Sequence, residues 1–120
     1  MSLEKALEEI YSNTEGVELI ALLGFDGVPV VSRGNEDKKT ILEGEELNNV
    51  VGMIKNMLEH SQKVNFGVFE RCLIEAKKYD FFFQVVNYEY FLLLVLEKAH
   101  NIGKARYLLK KWTPQIIQDL

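Results

Sequence analysis

Apolar side chains recur at spacings of three and four residues in three stretches of this chain, the pattern of an amphipathic helix. The stripe nearest the N-terminus consists of Leu3, Ala6, Leu7, Ile10 and Tyr11. The longest stripe consists of Leu47, Val50, Val51, Ile54, Met57, Leu58 and Ser61. The stripe nearest the C-terminus consists of Ala105, Leu108, Leu109 and Trp112. Ser2 and Asn101 are suitable caps for the first and last helix. Thr113-Pro114 either kinks the last helix or restarts it.

Two stretches beside an Asp-Gly dipeptide have the composition of paired β-strands. Residues 17–25 and 28–33 flank Asp26-Gly27. This dipeptide is typical of a two-residue type I′ hairpin turn, because glycine adopts positive φ freely. The two strands should therefore pair antiparallel. Pro29 lacks an N–H for the ladder, so the second strand should lie at an edge of the sheet.

Three further strands are predicted in the C-terminal half, at residues 66–78, 80–86 and 88–98. The last two are apolar at odd and even positions alike, so they should be central strands that are covered above and below. Charged residues on both faces of the segment 68–77 favour an edge strand instead. Residues 34–44 are polar and are predicted to form a loop.

The predicted element order is therefore α-β-β-α-β-β-β-α. Strands that are apolar on both faces need helices on both sides, which predicts an α+β fold with a five-stranded antiparallel sheet between helices, as a three-layer sandwich. The chain has 120 residues and is 48% hydrophobic, which fits a single domain spanning residues 1–120.

Charge and composition argue against several classes of protein. The net charge of -4 does not suit general nucleic-acid binding, which needs a basic excess or stripe. A single cysteine, Cys72, predicts no internal disulfide and fits the reducing cytoplasm. The longest apolar run, residues 91–96, is far shorter than the ~20 residues of a membrane-spanning helix, and the N-terminus lacks the apolar centre of a signal peptide. We therefore expect no membrane insertion and no nucleic-acid partner.

Candidates for catalysis or metal binding are few. The two histidines, His60 and His100, have no Cys or acidic cluster at metal-ligand spacing and are expected at the surface. Cys72 is expected to be a small buried hydrophobe in the middle of a strand. Gly103-Lys104 lacks the upstream glycine of a phosphate-binding loop. We expect no catalytic residue, no cofactor and no metal ion, and hence no enzyme.

Two basic features have alternative interpretations. Arg33 lies near an edge strand, where an arginine could in principle act as an arginine finger for GTP hydrolysis. The last helix carries a basic face made of Lys104, Arg106, Lys110 and Lys111. Such a face is either solvated or an electrostatic contact for an acidic partner.

The element order and two motifs resemble the roadblock family, which includes the dynein light chain roadblock proteins and the bacterial MglB-like regulators of small GTPases. The first motif is LLGFDGVPVVSR, at residues 22–33, similar to the hairpin of that family. The second is NIGKARYLLKK, at residues 101–111, similar to the Gly-Lys-x-Arg start of its last helix. The resemblance covers nearly the whole chain and implies a roadblock/profilin-like fold.

The resemblance also implies a homodimer, or a heterodimer with a roadblock relative, in which the middle helices pair and the third strands join edge to edge. The residues expected at this interface are Val50, Met53, Met57, Val68, Glu70 and Cys72. The residue pattern agrees, because an edge strand exposes unpaired backbone groups and the wide apolar sector of the middle helix needs a second contact.

The function that the resemblance implies is a non-enzymatic dimeric platform that binds a small Ras-like GTPase and modulates its nucleotide cycle or location. The residues expected to contact the GTPase are Asn49, Met53, Asn56, Met57 and His60. Methionine gives an adaptable apolar contact and asparagine gives hydrogen bonds without charge. The alternative is a structural adaptor, such as a motor-complex light chain, that bridges protein partners regardless of nucleotide.

Overall fold

The computed structural model describes residues 3–40, 44–65, 67–98 and 102–120. In chain order, the elements are α1 Leu3–Asn13, β1 Val17–Gly24, β2 Pro29–Gly34, α2 Glu36–Lys39, α3 Glu45–Ser61, β3 Arg71–Glu75, β4 Tyr79–Val85, β5 Tyr90–Glu97 and α4 Ile102–Gln118. The predicted α+β order is confirmed, with the short helix α2 added. The predicted caps Ser2 and Asn101, and also His100, lie outside the described residues.

The five strands form one antiparallel sheet in the order β2-β1-β5-β4-β3. The central strand β5 is buried at every position from Phe91 to Leu96, and β1 is buried at every position from Leu19 to Gly24. These are runs that are apolar at odd and even positions alike, as a strand covered on both faces requires. Strands β2 and β3 lie at the two edges of the sheet. This confirms the edge locations predicted from Pro29 and from the charged residues near β3.

Helices cover both faces of the sheet, but unequally. Even-numbered residues of β1 and β5, such as Leu22 and Leu94, pack against α1 and α4. Odd-numbered residues, such as Ala21 and Leu93, pack under α3. A helix is about 10 Å wide and five strands span about 20 Å. Helix α3 is therefore too narrow to cover the whole of its face of the sheet.

The turn between β1 and β2 is not the predicted two-residue turn. The Gly27 N–H donates to the Gly24 carbonyl (2.9 Å), and the Gly24 N–H donates to the Val28 carbonyl (3.0 Å). Gly27, with a φ of 87°, is the last residue of a three-residue loop, and Asp26 Oδ1 accepts from the Val28 N–H at 3.0 Å. Asp-Gly also fits a longer hairpin loop in which only the final residue has positive φ. The strand consequently begins at Pro29 rather than at Val28.

Strand β3 is shorter than the predicted strand at residues 66–78. It begins at Arg71, and Gly67 has a φ of 91°, a conformation that strands do not use. The Phe69 N–H donates to Ser61 Oγ at 3.2 Å, which ties the chain before β3 to the end of α3. The segment before β3 is therefore in contact with α3 and does not continue the strand.

Two other elements differ from the sequence-based expectations. The predicted loop at residues 34–44 contains α2, whose start is capped by the Asn35 side chain, which accepts from the Asp37 N–H at 3.0 Å. Helix α4 continues through Pro114, and the hydroxyl of Thr113 donates to the Leu109 carbonyl at 2.5 Å. Of the two predicted alternatives, the restart is therefore wrong, because Thr113 and Pro114 both lie within α4.

Candidate protein-binding surface

Helix α3 is anchored to the sheet by one side only. The residues of that side are Leu47, Val51, Ile54, Leu58 and Ser61, each at most 7% exposed. The Ser61 hydroxyl donates to the Leu58 carbonyl at 2.7 Å, so this polar residue is satisfied where it is buried. The other sides of α3 are available for contacts with another molecule.

The five residues predicted to contact a GTPase share the outward surface of α3. Asn49, Met53, Asn56, Met57 and His60 are all exposed. Met53 is 58% exposed and Met57 is 44% exposed. Exposed apolar residues mark interaction sites when they cluster rather than occur singly. The structure thus brings the predicted residues together on one surface.

Gly52 lies on the same surface and was missed by sequence reasoning. It is exposed, and a Cβ placed there would meet nothing within 4 Å in the described chain. Glycine inside a helix costs about 0.5–1 kcal/mol relative to alanine, and no close packing in the described chain explains it here. The sequence does show Gly52 as an isolated glycine within a predicted helix, where glycine is unfavourable. A missing side chain lets another molecule approach the helix closely.

Two grooves run between α3 and the β3 edge of the sheet. One, of about 380 Å³, is lined by Met57, His60, Ser61, Val64, Phe69, Arg71 and Cys72. The other, of about 420 Å³, is lined by Leu47, Val50, Ile74, Ala76, Tyr79, Phe81, Phe83 and Leu93. Of the predicted interface residues, Met57 and Cys72 therefore line the first groove and Val50 lines the second.

The remaining predicted interface residues occupy different environments. Cys72 is half-buried rather than fully buried as expected, because β3 is an edge strand, and desolvation raises the pKa of its thiol. Val68 and Glu70 are exposed and precede β3. Both line another groove, which also contains Ile117 of α4 and Tyr88. The structure therefore places Val68 and Glu70 beside α4 rather than in the grooves between α3 and β3.

The backbone of β3 is paired on one side only. The Val85 N–H donates to the Glu70 carbonyl at 2.8 Å, and the Ala76 N–H donates to the Tyr79 carbonyl at 3.1 Å. Hydrogen bonding alternates along an antiparallel strand, so even-numbered positions bond to β4 and odd-numbered positions point away from it. The backbone groups of Arg71, Leu73 and Glu75 therefore face outward, and β3 has no second strand neighbour among the described residues.

The side of α3 that faces the β1–β2 hairpin has a different character. Its residues Lys55, Glu59 and Gln62 line a groove with Phe25 and Tyr88. Charged and amide side chains remain hydrated there without a partner. The side of α3 next to β3 is thus apolar, whereas the side next to the hairpin is polar.

Arg33 is held within the chain. Its guanidinium forms a salt bridge with Glu8 and lies 4.7 Å from the ring centroid of Tyr11. Hydrogen bonds from Ser12 and Arg33 lower the pKa of the Glu8 carboxyl. These contacts tie β2 to α1, and they favour a structural role for Arg33 over an arginine finger.

On the basic face of α4, Arg106, Lys110 and Lys111 are exposed. In the part of the chain that the structure describes, no three His, Cys, Asp or Glu side chains are grouped as a metal site would require. Within that same part, no helix is long and apolar enough to cross a membrane.

Comparison with known proteins shows similarity in structure. No family model and no curated protein matches the chain. MglC from Myxococcus xanthus has a TM-score of 0.75 and 24% identity over 100% of both chains. Myxococcus xanthus MglB has a TM-score of 0.81 and 13% identity, over 96% of this chain and 91% of its own. A Roadblock/LC7 domain from Streptomyces avermitilis has a TM-score of 0.64 and 10% identity, over 98% of this chain and 99% of its own. All three similarities concern the fold.

Proposed function

We propose that this chain, which has the roadblock/LC7 fold, is a non-enzymatic, cytoplasmic, dimeric platform. It binds a small Ras-like GTPase and modulates the nucleotide cycle or location of that GTPase. The observation that carries the proposal is the outward surface of α3. There Met53 and Met57 are 58% and 44% exposed, and Asn49 and Asn56 lie beside them. A surface of this composition suits a protein partner, because methionine adapts to its contact and asparagine adds hydrogen bonds without charge.

The proposed dimer pairs two copies, or this chain and a roadblock relative, through α3 and β3. Val50 and Met57 line apolar grooves beside an edge whose outward backbone groups have no strand neighbour in the described chain. A second copy placed against this edge would cover the grooves and pair the backbone together. In this arrangement Met53 and Cys72 lie within the interface, and Val68 and Glu70 lie at its periphery.

The expected stoichiometry is one GTPase for each dimer. Two α3 helices related by a two-fold axis present a two-fold surface, whereas a monomeric GTPase has no matching axis. A single GTPase placed across this surface therefore breaks the symmetry and blocks an equivalent second site.

A pull-down with two nucleotide states tests the proposed function. The purified protein is immobilised and exposed to lysate of its source organism with a non-hydrolysable GTP analogue or with GDP, and bound GTPases are identified by mass spectrometry. We expect capture that depends on the nucleotide, and weaker capture by Asn56→Ala. Arg106→Ala, on the far layer of the molecule, is the matched control and should bind like the original protein. Capture of the same non-GTPase partner with both nucleotides would contradict the proposal. It would favour the alternative function, a structural adaptor that bridges protein partners.

A further inference from the structure

The open edge of β3 carries a pattern of side chains that is complementary to itself. Leu73 packs with the layer of α1 and α4, whereas Cys72 and Ile74 pack with the layer of α3. Side chains alternate between the faces of a strand, so Arg71 and Glu75 share the face of Leu73. The three residues whose backbone points outward therefore carry, in order, a positive, an apolar and a negative side chain.

The neighbours within the chain leave Glu75 without a cation. Glu75 lies directly opposite Asp80 on β4. Asp80 is buried and binds Lys98 Nζ at 2.6 Å. Within the described chain Glu75 forms no salt bridge. Lys98 is already bound to Asp80, so Glu75 has no cation of its own among the described residues, and this position favours a basic group on its open side.

Arg71, at the other end of β3, has neighbours that leave its charge poorly compensated. Its Nε donates to Gln84 Oε1 at 2.8 Å, a neutral acceptor on the opposing strand. Among the described residues its closest carboxylate is that of Glu70, at 3.5 Å. The Glu70 side chain is 72% exposed, so this ion pair is screened by solvent and weak. The guanidinium is therefore suited to a carboxylate that approaches from beyond the edge.

We propose that two copies of this chain join their β3 strands antiparallel in a single register, with Leu73 opposite Leu73 of the second copy on the two-fold axis. This register places Arg71 of each copy opposite Glu75 of the other, which forms two ion pairs. On the α3 face it places Cys72 opposite Ile74, which forms two apolar pairs. The inference rests on the proposed dimer and adds which residues select the partner.

The other registers lose both ion pairs. Residues whose backbone groups point outward must pair with such residues of the partner. The two-fold axis must therefore lie at a residue of β3, and the alternative registers place it at a different residue. An axis at Arg71 or at Glu75 sets like charges opposite each other. An axis at Cys72 or at Ile74 sets a charged residue opposite Leu73. Only the axis at Leu73 satisfies both charges.

A charge-swapped pair of variants tests the register. Arg71→Glu and Glu75→Arg each place two like-charge pairs in their own homodimer, so each should raise the homodimer dissociation constant by about tenfold. Mixed together, the two variants restore both ion pairs in a heterodimer. The double variant R71E/E75R restores them in a homodimer. Native mass spectrometry of differently tagged chains measures the populations, with Arg106→Glu as the matched charge-reversal control.

Cysteine cross-linking gives a second readout that does not depend on charge. In the proposed register the two Cys72 residues are offset by two positions, so their Cα atoms are about 8 Å apart, too far for a disulfide. The introduced thiol of Ile74→Cys would instead lie opposite Cys72 of the partner. Mild oxidation should therefore give a covalent dimer for Ile74→Cys, but not for the original protein or for the combined variant C72S/I74C.

The outcomes separate the register from the dimer itself. A wild-type monomer in light scattering at micromolar concentration would contradict the proposed dimer. A wild-type dimer that cross-links through Cys72 would place the axis at Cys72 and overturn the register. Cross-linking of C72S/I74C would place the axis at Ile74 and overturn it as well. A mixture of the charge variants that shows no preference for the heterodimer would also count against it.

Discussion

The two edge strands of the sheet, β2 and β3, differ in how open their outward backbone groups are to pairing with another strand. On β2, Pro29 supplies no N–H, and Arg33 is bound by Glu8 and Tyr11 of α1. The pairing of β2 with β1 is also irregular between Leu22 and Leu23. Strand β3 has a regular register with β4, contains no proline, and is bordered by apolar grooves. Proteins usually blunt an exposed edge with proline, charge or irregularity, so the edge that lacks proline and irregularity is the better candidate for an interface.

The same contrast continues on α3. Its side toward β3 carries Val50 and Met57, whereas its side toward the hairpin carries Lys55, Glu59 and Gln62. Apolar groups beside an open edge are typical of an association surface, whereas polar groups beside a blunted edge are typical of a hydrated surface. One half of this face thus has the apolar composition of an interface, and the other half has the polar composition of a hydrated surface.

Proline substitution at the two edges should give the largest difference. Leu73→Pro removes an outward N–H from β3, and in the proposed dimer it removes one ladder hydrogen bond from each copy. At about 1 kcal/mol for each bond, plus steric clash, the dimer dissociation constant should rise by about 100-fold. Light scattering over a dilution series measures the change.

Ser32→Pro on β2 is the matched control for this experiment. The Asn35 N–H donates to the Glu18 carbonyl at 3.0 Å, so by alternation the N–H of Ser32 also points away from β1. Dimerisation should be unchanged in this variant, and circular dichroism should show both variants folded. Equal weakening by the two prolines would remove the proposed distinction between the edges.

Truncation on the two sides of α3 should give the next largest effect. Met57→Ala removes an apolar side chain from the proposed interface, which should weaken GTPase binding by about 1–3 kcal/mol. Glu59→Ala, on the hairpin side, should mainly alter the association rate and its salt dependence. Calorimetry with the captured GTPase measures both. The reverse order of effects would move the binding surface to the hairpin side.

Gly52→Ala should have two effects of opposite sign. The free energy of unfolding of the monomeric form should rise by about 0.5–1 kcal/mol, because alanine is the better helix former and its Cβ would meet no atom of the described residues within 4 Å. Binding of the GTPase should weaken, because the added methyl group occupies the outward surface. Chemical denaturation of the variant in a Leu73→Pro background and calorimetry in the original background measure the two effects. A gain in stability with unchanged binding would place Gly52 outside the contact.

The smallest effect concerns the ion pair that ties β2 to α1. The pKa of Glu8 is lowered by hydrogen bonds from Ser12 and Arg33, so its stabilising contribution is fully present above its ordinary pKa of 4.5. The contribution is lost as the pH falls through the lowered value. Glu8→Gln should therefore unfold at a lower urea concentration than the original protein at neutral pH, and this difference should shrink under acidic conditions. A difference that is independent of pH would show that charge is not its source.

Much of the fold was predictable because it depends on local periodicity. The apolar runs of β1 and β5 identify covered strands, and the spacing from Leu47 to Ser61 identifies α3 and its buried side. Helix α2 has four residues, too few to show a helical period. The chain before β3 contacts α3 through Phe69 and Ser61, and no local pattern contains this contact.

The candidate site was predictable only in part. The exposure of Met53 and Met57 follows from their angular position on α3, so it was accessible from the sequence. The location of Val68 and Glu70 beside α4 follows from where β3 begins, and it was not accessible. The role proposed for Arg71 and Glu75 needs the register with β4, because only that register shows which backbone groups point outward.

Residue-resolved amide hydrogen exchange distinguishes a paired β3 edge from an open β2 edge in solution. The amides of Leu73 on β3 and Ser32 on β2 both point away from their neighbouring strands, so in a monomer both exchange rapidly. At a concentration where light scattering shows the associated species, we expect Leu73 to be strongly protected, Ser32 to remain unprotected, and the protection of Leu73 to be reduced in Arg71→Glu. Rapid exchange at both positions, or protection at Ser32 alone, would contradict an interface built on the β3 edge.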